Sequence, residues 1–301
     1  MSVDKPLVSI VVITYNSSKY IIETLESCKA QSYQNLELVI SDDCSTDNTK
    51  EICEDWLKTN QSNFKKSKFV ETEINSGIAP NLNNGIKNST GDWIKIIAGD
   101  DLLMPEIITE YVNYINSSKE NIFFLHSNVI KFNENGIVRN TIDPNDLKIN
   151  NLEITAAEQN EILLRSGPIY AATVMFHRLI INNVGYYNEK YPFWEDTPMW
   201  MRVTASGIKL HYLNTIGAKY RVSNDSIQQT KKLYSRFSIS KMQYQKHELL
   251  NLYSGKEKFF LRMRINLHLS LIYIFNNKRN FFSLVMKKLI NKALKKHSVE
   301  K

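Results

Sequence analysis

The chain has 301 residues, of which 43% are hydrophobic and 11% aromatic, a composition that excludes a disordered polypeptide and supports a packed core. Its net charge of +7 hides a division, because residues 226–301 hold 17 Lys+Arg against 3 Asp+Glu and residues 1–225 hold 21 against 28. Cys28, Cys44 and Cys53 are odd in number and form no CxxC pair, which excludes a disulfide framework and a zinc knuckle and suits a reducing cytoplasm.

The opening "MSVDKPLVSIVVITYN" carries an Asp early and an apolar run of only about seven residues, too short and wrongly flanked for a signal peptide. No segment reaches the roughly 18 to 20 apolar residues of a membrane span, so the expectation is a cytoplasmic protein, soluble or peripheral on the inner face of the plasma membrane. "LVSIVVIT" (7–14) is a nearly continuous β-branched run, the pattern of a parallel strand covered on both faces. Ile21, Ile22, Leu25 and Cys28 then recur at helical spacing behind a Ser placed to cap the helix. "LELVIS" (36–41) predicts a second strand and "TDNTKEICEDWLK" a second helix; "SKFVET" (67–72), "APNLNNGIK" and "DWIKIIA" (92–98) repeat the alternation. Strand and helix exchanging at this rhythm predict an α/β domain with a mostly parallel sheet, in which ligands bind beyond the carboxyl ends of the strands.

Those ends are where the polar residues gather. "TYN" (14–16) closes the first strand, "SDDCSTD" (41–47) the second and "GDD" (99–101) the fourth. No Gly-rich phosphate cradle of the GxGxxG or GxxxxGK[ST] kind accompanies them. Adjacent carboxylates such as Asp100 and Asp101 repel one another, and burying either without a partner is costly. Carboxylates do not hold phosphates directly, but they hold a hard divalent cation that does.

Past residue 105, "PEIITEYVNYIN" reads as a helix, "NIFFLHSNVIKF" as a strand, 157–166 as a short helix, "AATVMFHR" (171–178) as a strand and the stretch to Val184 as a small helix. In "FWEDTPMWMRV" Pro198 suits the first position of a helix that Thr197 caps, with Asp196 just ahead of it and Gly207 as the stop. Three basic, mostly helical segments follow, at 230–253, 257–276 and 281–297.

These pieces resemble glycosyltransferase family 2, the inverting enzymes of GT-A fold and of the bacterial surface-polysaccharide kind. The resemblance is carried by "VSIVVITYN", "ISDDCSTDNT", "NSGIAPNLNNGI", "GDWIKIIAGDDLLMP", "AATVMFHR" and "FWEDTPMWMRV", in that order, over roughly residues 6–225. It implies a GT-A catalytic domain over 1–225, a Rossmann-like mixed sheet between helices, with a nucleotide-binding half (1–104) and an acceptor-binding half (105–225), followed by a C-terminal basic helical extension (226–301). By the same resemblance, Thr14, Tyr15 and Asn16 match the segment lining the nucleotide base and ribose, and Asp43 the carboxylate that accepts from the uracil ring. Asp100 and Asp101 match the metal motif, whose later Asp coordinates Mg²⁺ or Mn²⁺ bridging the phosphates of a UDP-sugar. Asp196 matches the catalytic base; beside it, Glu195 is a candidate for supporting that base and Trp194 for stacking on a nucleotide base or sugar ring. Three positions depart from the pattern: Ala98 replaces the usual first Asp of the metal motif, Leu82 stands where many members carry Arg, and Ser223 where relatives often carry His.

The implied reaction is inverting, metal-dependent transfer of a sugar from a UDP-sugar to a glycan or lipid-linked oligosaccharide in capsule or O-antigen biosynthesis. The residue types suit it, since a cation neutralises charge growing on the leaving diphosphate and an ordered carboxylate takes the acceptor proton. By local pattern alone Asp196 is an acid favoured at a helix N-terminus, Asp100 and Asp101 a strand-end turn, Glu195 a solvated acid, and Tyr15 and Trp194 packing residues. Two other classes share features with the chain. A sugar-phosphate nucleotidyltransferase has a similar domain, but its Gly-rich basic signature is absent from "TYNSSKYI". A nucleic-acid-binding module would explain the basic tail, but the main domain is acidic and no binding motif is present. In "NKRNFFSLVMKKLINKALKKH" Phe282, Val285, Met286, Leu289, Ile290 and Ala293 share one helical face, with Lys287, Lys288, Lys292, Lys295 and Lys296 on the other. Such a helix lies in an anionic membrane interface or packs on its own domain with a solvated basic face.

Overall fold

The computed structural model describes residues 5–139, 147–165, 169–222 and 231–295. The chain divides into two compact units, Met1–Val222 and Ser223–Lys301. The expected boundary at 225/226, Ser223, and Lys296 at the tail's end lie outside the described residues.

Among the described residues the first unit is built on one nine-stranded sheet in the order β3-β2-β1-β4-β8-β6-β9-β5, with β7 alongside β6. β1 (Val8–Thr14), β2 (Leu36–Asp42), β3 (Lys66–Glu71) and β4 (Trp93–Ala98) form its parallel half. β5 (Leu102–Leu103), β6 (Phe124–Asn133), β7 (Gly136–Arg139), β8 (Met175–His177) and β9 (His211–Arg221) complete it with mixed pairing. Helices α1 (Ile21–Lys29), α2 (Thr49–Asn60) and α3 (Ile78–Lys87) are the crossovers of the parallel half. α4 (Ile107–Ser117), α5 (Ala156–Arg165), α6 (Leu179–Val184) and α7 (Asp196–Ala205) accompany the rest.

The β-branched run of β1 is covered on both faces, with Val8, Ile10, Val11 and Val12 all buried, as a central parallel strand requires. α1 buries Ile21, Thr24, Leu25 and Cys28, one stripe at helical spacing, into the same core as β1 and β2. Burying each such aliphatic side chain contributes about 1.5–3 kcal/mol.

Three local expectations are corrected. The Ser17 hydroxyl does not cap α1; the Ser17 carbonyl accepts from the N–H groups of Tyr20 and Ile21 instead. "AATVMFHR" is strand only at Met175–His177, because Ala171–Thr173 winds into a 3₁₀ turn. That turn is pulled off the sheet by two buried donors: the Tyr111 hydroxyl bonds the Thr173 carbonyl at 2.7 Å and the Lys95 ammonium the Ala172 carbonyl at 2.6 Å. α7 begins at Asp196, so Asp196 is its first residue and Pro198 its third. Asp196 Oδ1 accepts from the Thr197 N–H. Gly207, at φ +86°, does stop the helix.

The second unit contains α8 (Arg236–His247), α9 (Gly255–Ile274) and α10 (Phe281–Lys295). Its core gathers Leu233, Met242, Leu250, Ile265, Leu271, Ile290 and Leu294. No helix among the described residues is long and apolar enough to cross a membrane.

Candidate active site

Register places three of the polar strand ends on one rim. Thr14 on β1 lies opposite Asp42 on β2, and its neighbour Ile13 lies opposite Ala98 on β4. The chain therefore leaves the sheet toward Asp43 on one side of β1 and toward Asp100 on the other, at the same level. Two main-chain bonds tie the exits together, Asp43 N–H to the Thr14 carbonyl at 2.9 Å and Gly99 N–H to the Ile13 carbonyl at 2.8 Å. Gly99 has no room for a side chain, since a Cβ there would meet Thr14 Cγ2 at 2.8 Å.

On the β2 side most of the polar groups build the rim itself. The Thr14 hydroxyl donates to Asp42 Oδ1 at 2.6 Å, and Asp42 also receives the N–H and hydroxyl of Ser45. Asn16 takes a left-handed conformation, φ +51°, with its Oδ1 accepting from Thr46 N–H at 2.8 Å and its own N–H on the Ser45 hydroxyl. Asp43 receives Ser76 N–H at 2.9 Å, the Thr72 hydroxyl at 3.1 Å and Gly77 N–H at 2.7 Å, which pins the segment between β3 and α3. A carboxylate has about four acceptor positions, so Asp43 keeps one for an incoming donor. Of the expected base- and ribose-lining residues, Thr14 is buried, Tyr15 stands open at 46% exposed, and Asn16 is exposed with its Oδ1 held by Thr46.

On the β4 side the two adjacent carboxylates differ. Asp101 is buried, 3% exposed, and its Oδ1 accepts from the backbone N–H of Arg221 at 2.8 Å. Asp100 is half-buried, and its carbonyl accepts from Arg221 Nε at 2.8 Å. The Arg221 guanidinium lies over the rings of Tyr20 and Phe132, 4.2 and 4.4 Å from their centroids, and bonds Glu23 at 2.8 Å. Burial lifts the carboxyls of both Asp100 and Asp101; the Asp100 charge lifts Asp101 further, and Arg221 opposes the shift in each. Lys95 lies fully buried on β4, and desolvation pushes its ammonium down to about 7 against the attraction of Asp101.

Asp196 approaches from the opposite half of the sheet, and two connections bring it to this rim. The first is Tyr220 on β9: its phenol is driven above the ordinary range chiefly by burial and then by the charges of Asp101, Asp100, Tyr170 and Asp196. One hydroxyl thus feels all three motif carboxylates. The second runs through Gly77, whose N–H is held by Asp43 and whose Cα sits so close to Pro192 that a Cβ would meet Pro192 Cβ at 2.7 Å. Ala79 N–H adds a bond to the Pro192 carbonyl at 3.2 Å. Burial, and next the Asp196 charge, push the Glu195 carboxyl up to about 8. The Tyr187 phenol, buried without a hydrogen-bond partner, also feels Glu195 and Asp196. Trp194 is buried rather than presented to a ligand.

The structure therefore sets Asp43, Asp100 and Asp101 on one rim, ties the stretch leading to Glu195 and Asp196 to it through the Gly77–Pro192 contact, and turns Thr14 and Trp194 inward while Asn16 stays exposed. Leu82 is buried within α3, so nothing at that position reaches the rim. Sequence reasoning missed Lys95, Tyr220 and Arg221. A lysine inside the apolar strand "WIKIIA" and the Arg within "YRVSNDS" were the signals; Tyr220 offered none, because a tyrosine on a strand is ordinarily packing.

The donor set at Asp100 and Asp101 suits a hard divalent cation. Among the described residues no three His, Cys, Asp or Glu side chains form a cage. An ion on one or two carboxylates completes its shell with water and with the phosphates it bridges, the usual way Mg²⁺ is held at nucleotides.

The family model described as Glycosyl transferase family 2 matches residues 9–182. An Escherichia coli relative, the UDP-Glc:alpha-D-GlcNAc-diphosphoundecaprenol beta-1,3-glucosyltransferase WfaP, is 28% identical over 226 residues, covering 75% of this chain and 81% of that protein. An uncharacterized glycosyltransferase of Rickettsia felis is 29% identical over 223 residues, 73% of this chain but only 35% of the relative's own length. Among solved structures, S. aureus TarS 1-349 in complex with UDP-GlcNAc superposes with a TM-score of 0.62 at 19% identity, over 95% of this chain and 80% of that one. The mannosyltransferase PcManGT from Pyrobaculum calidifontis, in complex with GDP-Man and Mn2+, gives 0.59 at 16% identity, over 99% and 77%.

Proposed function

From the premise that this chain belongs to glycosyltransferase family 2 and has the GT-A fold, we propose that it transfers a sugar from a UDP-sugar to a saccharide carried on a polyprenyl diphosphate, with inversion, in the synthesis of a bacterial surface polysaccharide. The nucleotidyltransferase and nucleic-acid readings fall with the family match. Residues 1–104 hold the nucleotide and 105–225 the acceptor, at the cytoplasmic face of the membrane.

The observation that supports this most is the close contact of Gly77, whose N–H Asp43 holds, with Pro192, four residues before Asp196. It supports a base close to the carboxylate rim, in keeping with the Tyr220 phenol, which is raised first by burial and then by the charges of Asp101, Asp100 and Asp196. Tyr15 covers the base or ribose, and Asp43 spends its remaining acceptor position on the uracil N–H. Asp100 and Asp101 are the metal-facing carboxylates, Asp101 giving Oδ1 to the Arg221 N–H and keeping its other acceptor positions for the cation. Arg221, clamped by two rings and Glu23, fixes the height of both carboxyls. A divalent cation bound there, Mg²⁺ or Mn²⁺, neutralises charge on the departing diphosphate. Asp196, steadied by the Thr197 N–H at the start of α7, takes the proton of the attacking acceptor hydroxyl. A single displacement from the side opposite UDP inverts the anomeric carbon. The UDP-Glc donor and diphosphoundecaprenol-linked acceptor in the name of the E. coli relative support this pairing of substrates, and the Mn2+ in the Pyrobaculum complex supports the cation.

The test is Asp196→Asn. Transfer from UDP-sugars to membrane-extracted acceptor falls by about 10²–10⁴-fold, the usual contribution of a positioned base, while UDP binding by calorimetry is retained. Transfer at the wild-type rate would remove Asp196 from the role.

A further inference from the structure

Helix α10 has two apolar faces, and the C-terminal unit uses only one. Ser283, Ile290 and Leu294 are buried, and their spacing sets them on a single seam shared with Ile265 and Leu271 of α9. Phe282, Val285, Met286 and Leu289 are exposed, Phe282 at 71% and Leu289 at 54%. At about 100° per residue these four fill an arc of roughly 100° that is centred roughly 110° away from the seam. The sequence placed Ile290 on this face; the structure takes Ile290 into the core and leaves the others outside. The turn before α10 extends the surface, with Tyr273 89% and Ile274 68% exposed at the end of α9 and Phe281 75% exposed at the start of α10. A contiguous apolar area of this kind marks a surface that meets something.

The charge around it selects the occupant. Lys278 and Arg279 lie in the turn between the two exposed pairs, Lys288 and Lys292 border the stripe next to Val285, and residues 258–299 contain no carboxylate at all. A second copy of the chain meeting this face about a two-fold axis would set these cations against their own counterparts. A nucleic acid would use the cations but leave Val285, Met286 and Leu289 without a role. An anionic bilayer satisfies both, with acyl chains for the stripe and phosphates for the cations.

We propose that the outward face of α10, together with the α9–α10 turn, is a docking surface for an anionic lipid bilayer. The apolar stripe sinks to the acyl boundary, and Lys278, Arg279, Lys288 and Lys292 stay at the headgroup phosphates. The proposal rests on the helical unit alone and needs neither the donor nor the base assigned above.

The full-length protein is floated with vesicles of phosphatidylglycerol and phosphatidylcholine, and with phosphatidylcholine alone, at low and high salt. It should float with the mixed vesicles at low salt and not with the neutral ones. Phe282→Ser with Leu289→Ser should weaken partitioning by about tenfold, and Lys288→Glu with Lys292→Glu by roughly tenfold or more. Both pairs are at the surface, so the melting temperature and UDP binding should stay at wild-type values. Phe282→Trp should gain fluorescence that brominated acyl chains quench. Failure of the wild type to float, partitioning unchanged by the serine pair, or no quenching at Trp would overturn the proposal. So would a serine pair that instead converts an oligomer to a monomer in sedimentation velocity, which would make the face a contact between copies.

Discussion

Asp100 and Asp101 are neighbours with different work. Asp101 anchors the end of β9 by accepting the Arg221 N–H on its carboxylate, whereas Asp100 meets Arg221 through its carbonyl. Asp101→Ala strips a buried N–H of its acceptor and should cost about 1–3 kcal/mol in denaturant unfolding, whereas Asp100→Asn should leave stability near that of the wild type. Equal destabilisation by both would contradict this division. Glu195 gives a pH signature. Its carboxyl is raised to about 8, so the folded chain keeps a proton that the unfolded chain has already released. The stability that this protonation supplies is complete below the ordinary carboxyl range and is lost as the pH rises through about 8. Glu195→Gln removes the titration, so its melting temperature should fall less than that of the wild type between mildly acidic and mildly alkaline pH. Parallel melting curves would refute it. The acids at the rim are legible in the sequence because each closes a recognisable strand, but their partners are not. Tyr220 and Arg221 reach Asp100 and Asp101 from more than a hundred residues away, and only the folded sheet brings them there.

At the scale of elements, the parallel half reads directly from the sequence, since a strand buried on both faces is a continuous β-branched run and each crossover helix shows a stripe. The mixed half reads less well. "AATVMFHR" has the composition of a strand, but Lys95 and Tyr111 capture the carbonyls of Ala172 and Thr173, and tertiary hydrogen bonds override propensity. The approach of the two halves depends on Gly77, which combines φ +101° with a contact that leaves no room beside Pro192. Gly77→Ala should therefore cost about 1–3 kcal/mol in stability and weaken UDP binding, because Asp43 is fastened to the same residue. A variant as stable as the wild type with unchanged UDP affinity would show that this contact does not govern the rim.

At the scale of the whole molecule, an acidic catalytic part and a basic helical part follow one another in the chain, and the charge division was visible from counting alone. What counting could not separate was which apolar residues of α10 face inward, because two adjoining apolar stripes look like one broad face until α9 is in place. The account's central claim is that the carboxylate rim of the first unit grips a nucleoside diphosphate through a cation. UDP affinity measured by calorimetry with Mn²⁺ and with excess chelator, on the wild type and on Asp100→Asn, tests it most directly. The account predicts tight binding by the wild type only when Mn²⁺ is present, and an Asp100→Asn variant that binds UDP weakly and indifferently to Mn²⁺. Wild-type affinity that is the same with chelator, or an Asp100→Asn variant that keeps the full Mn²⁺ enhancement, would contradict it.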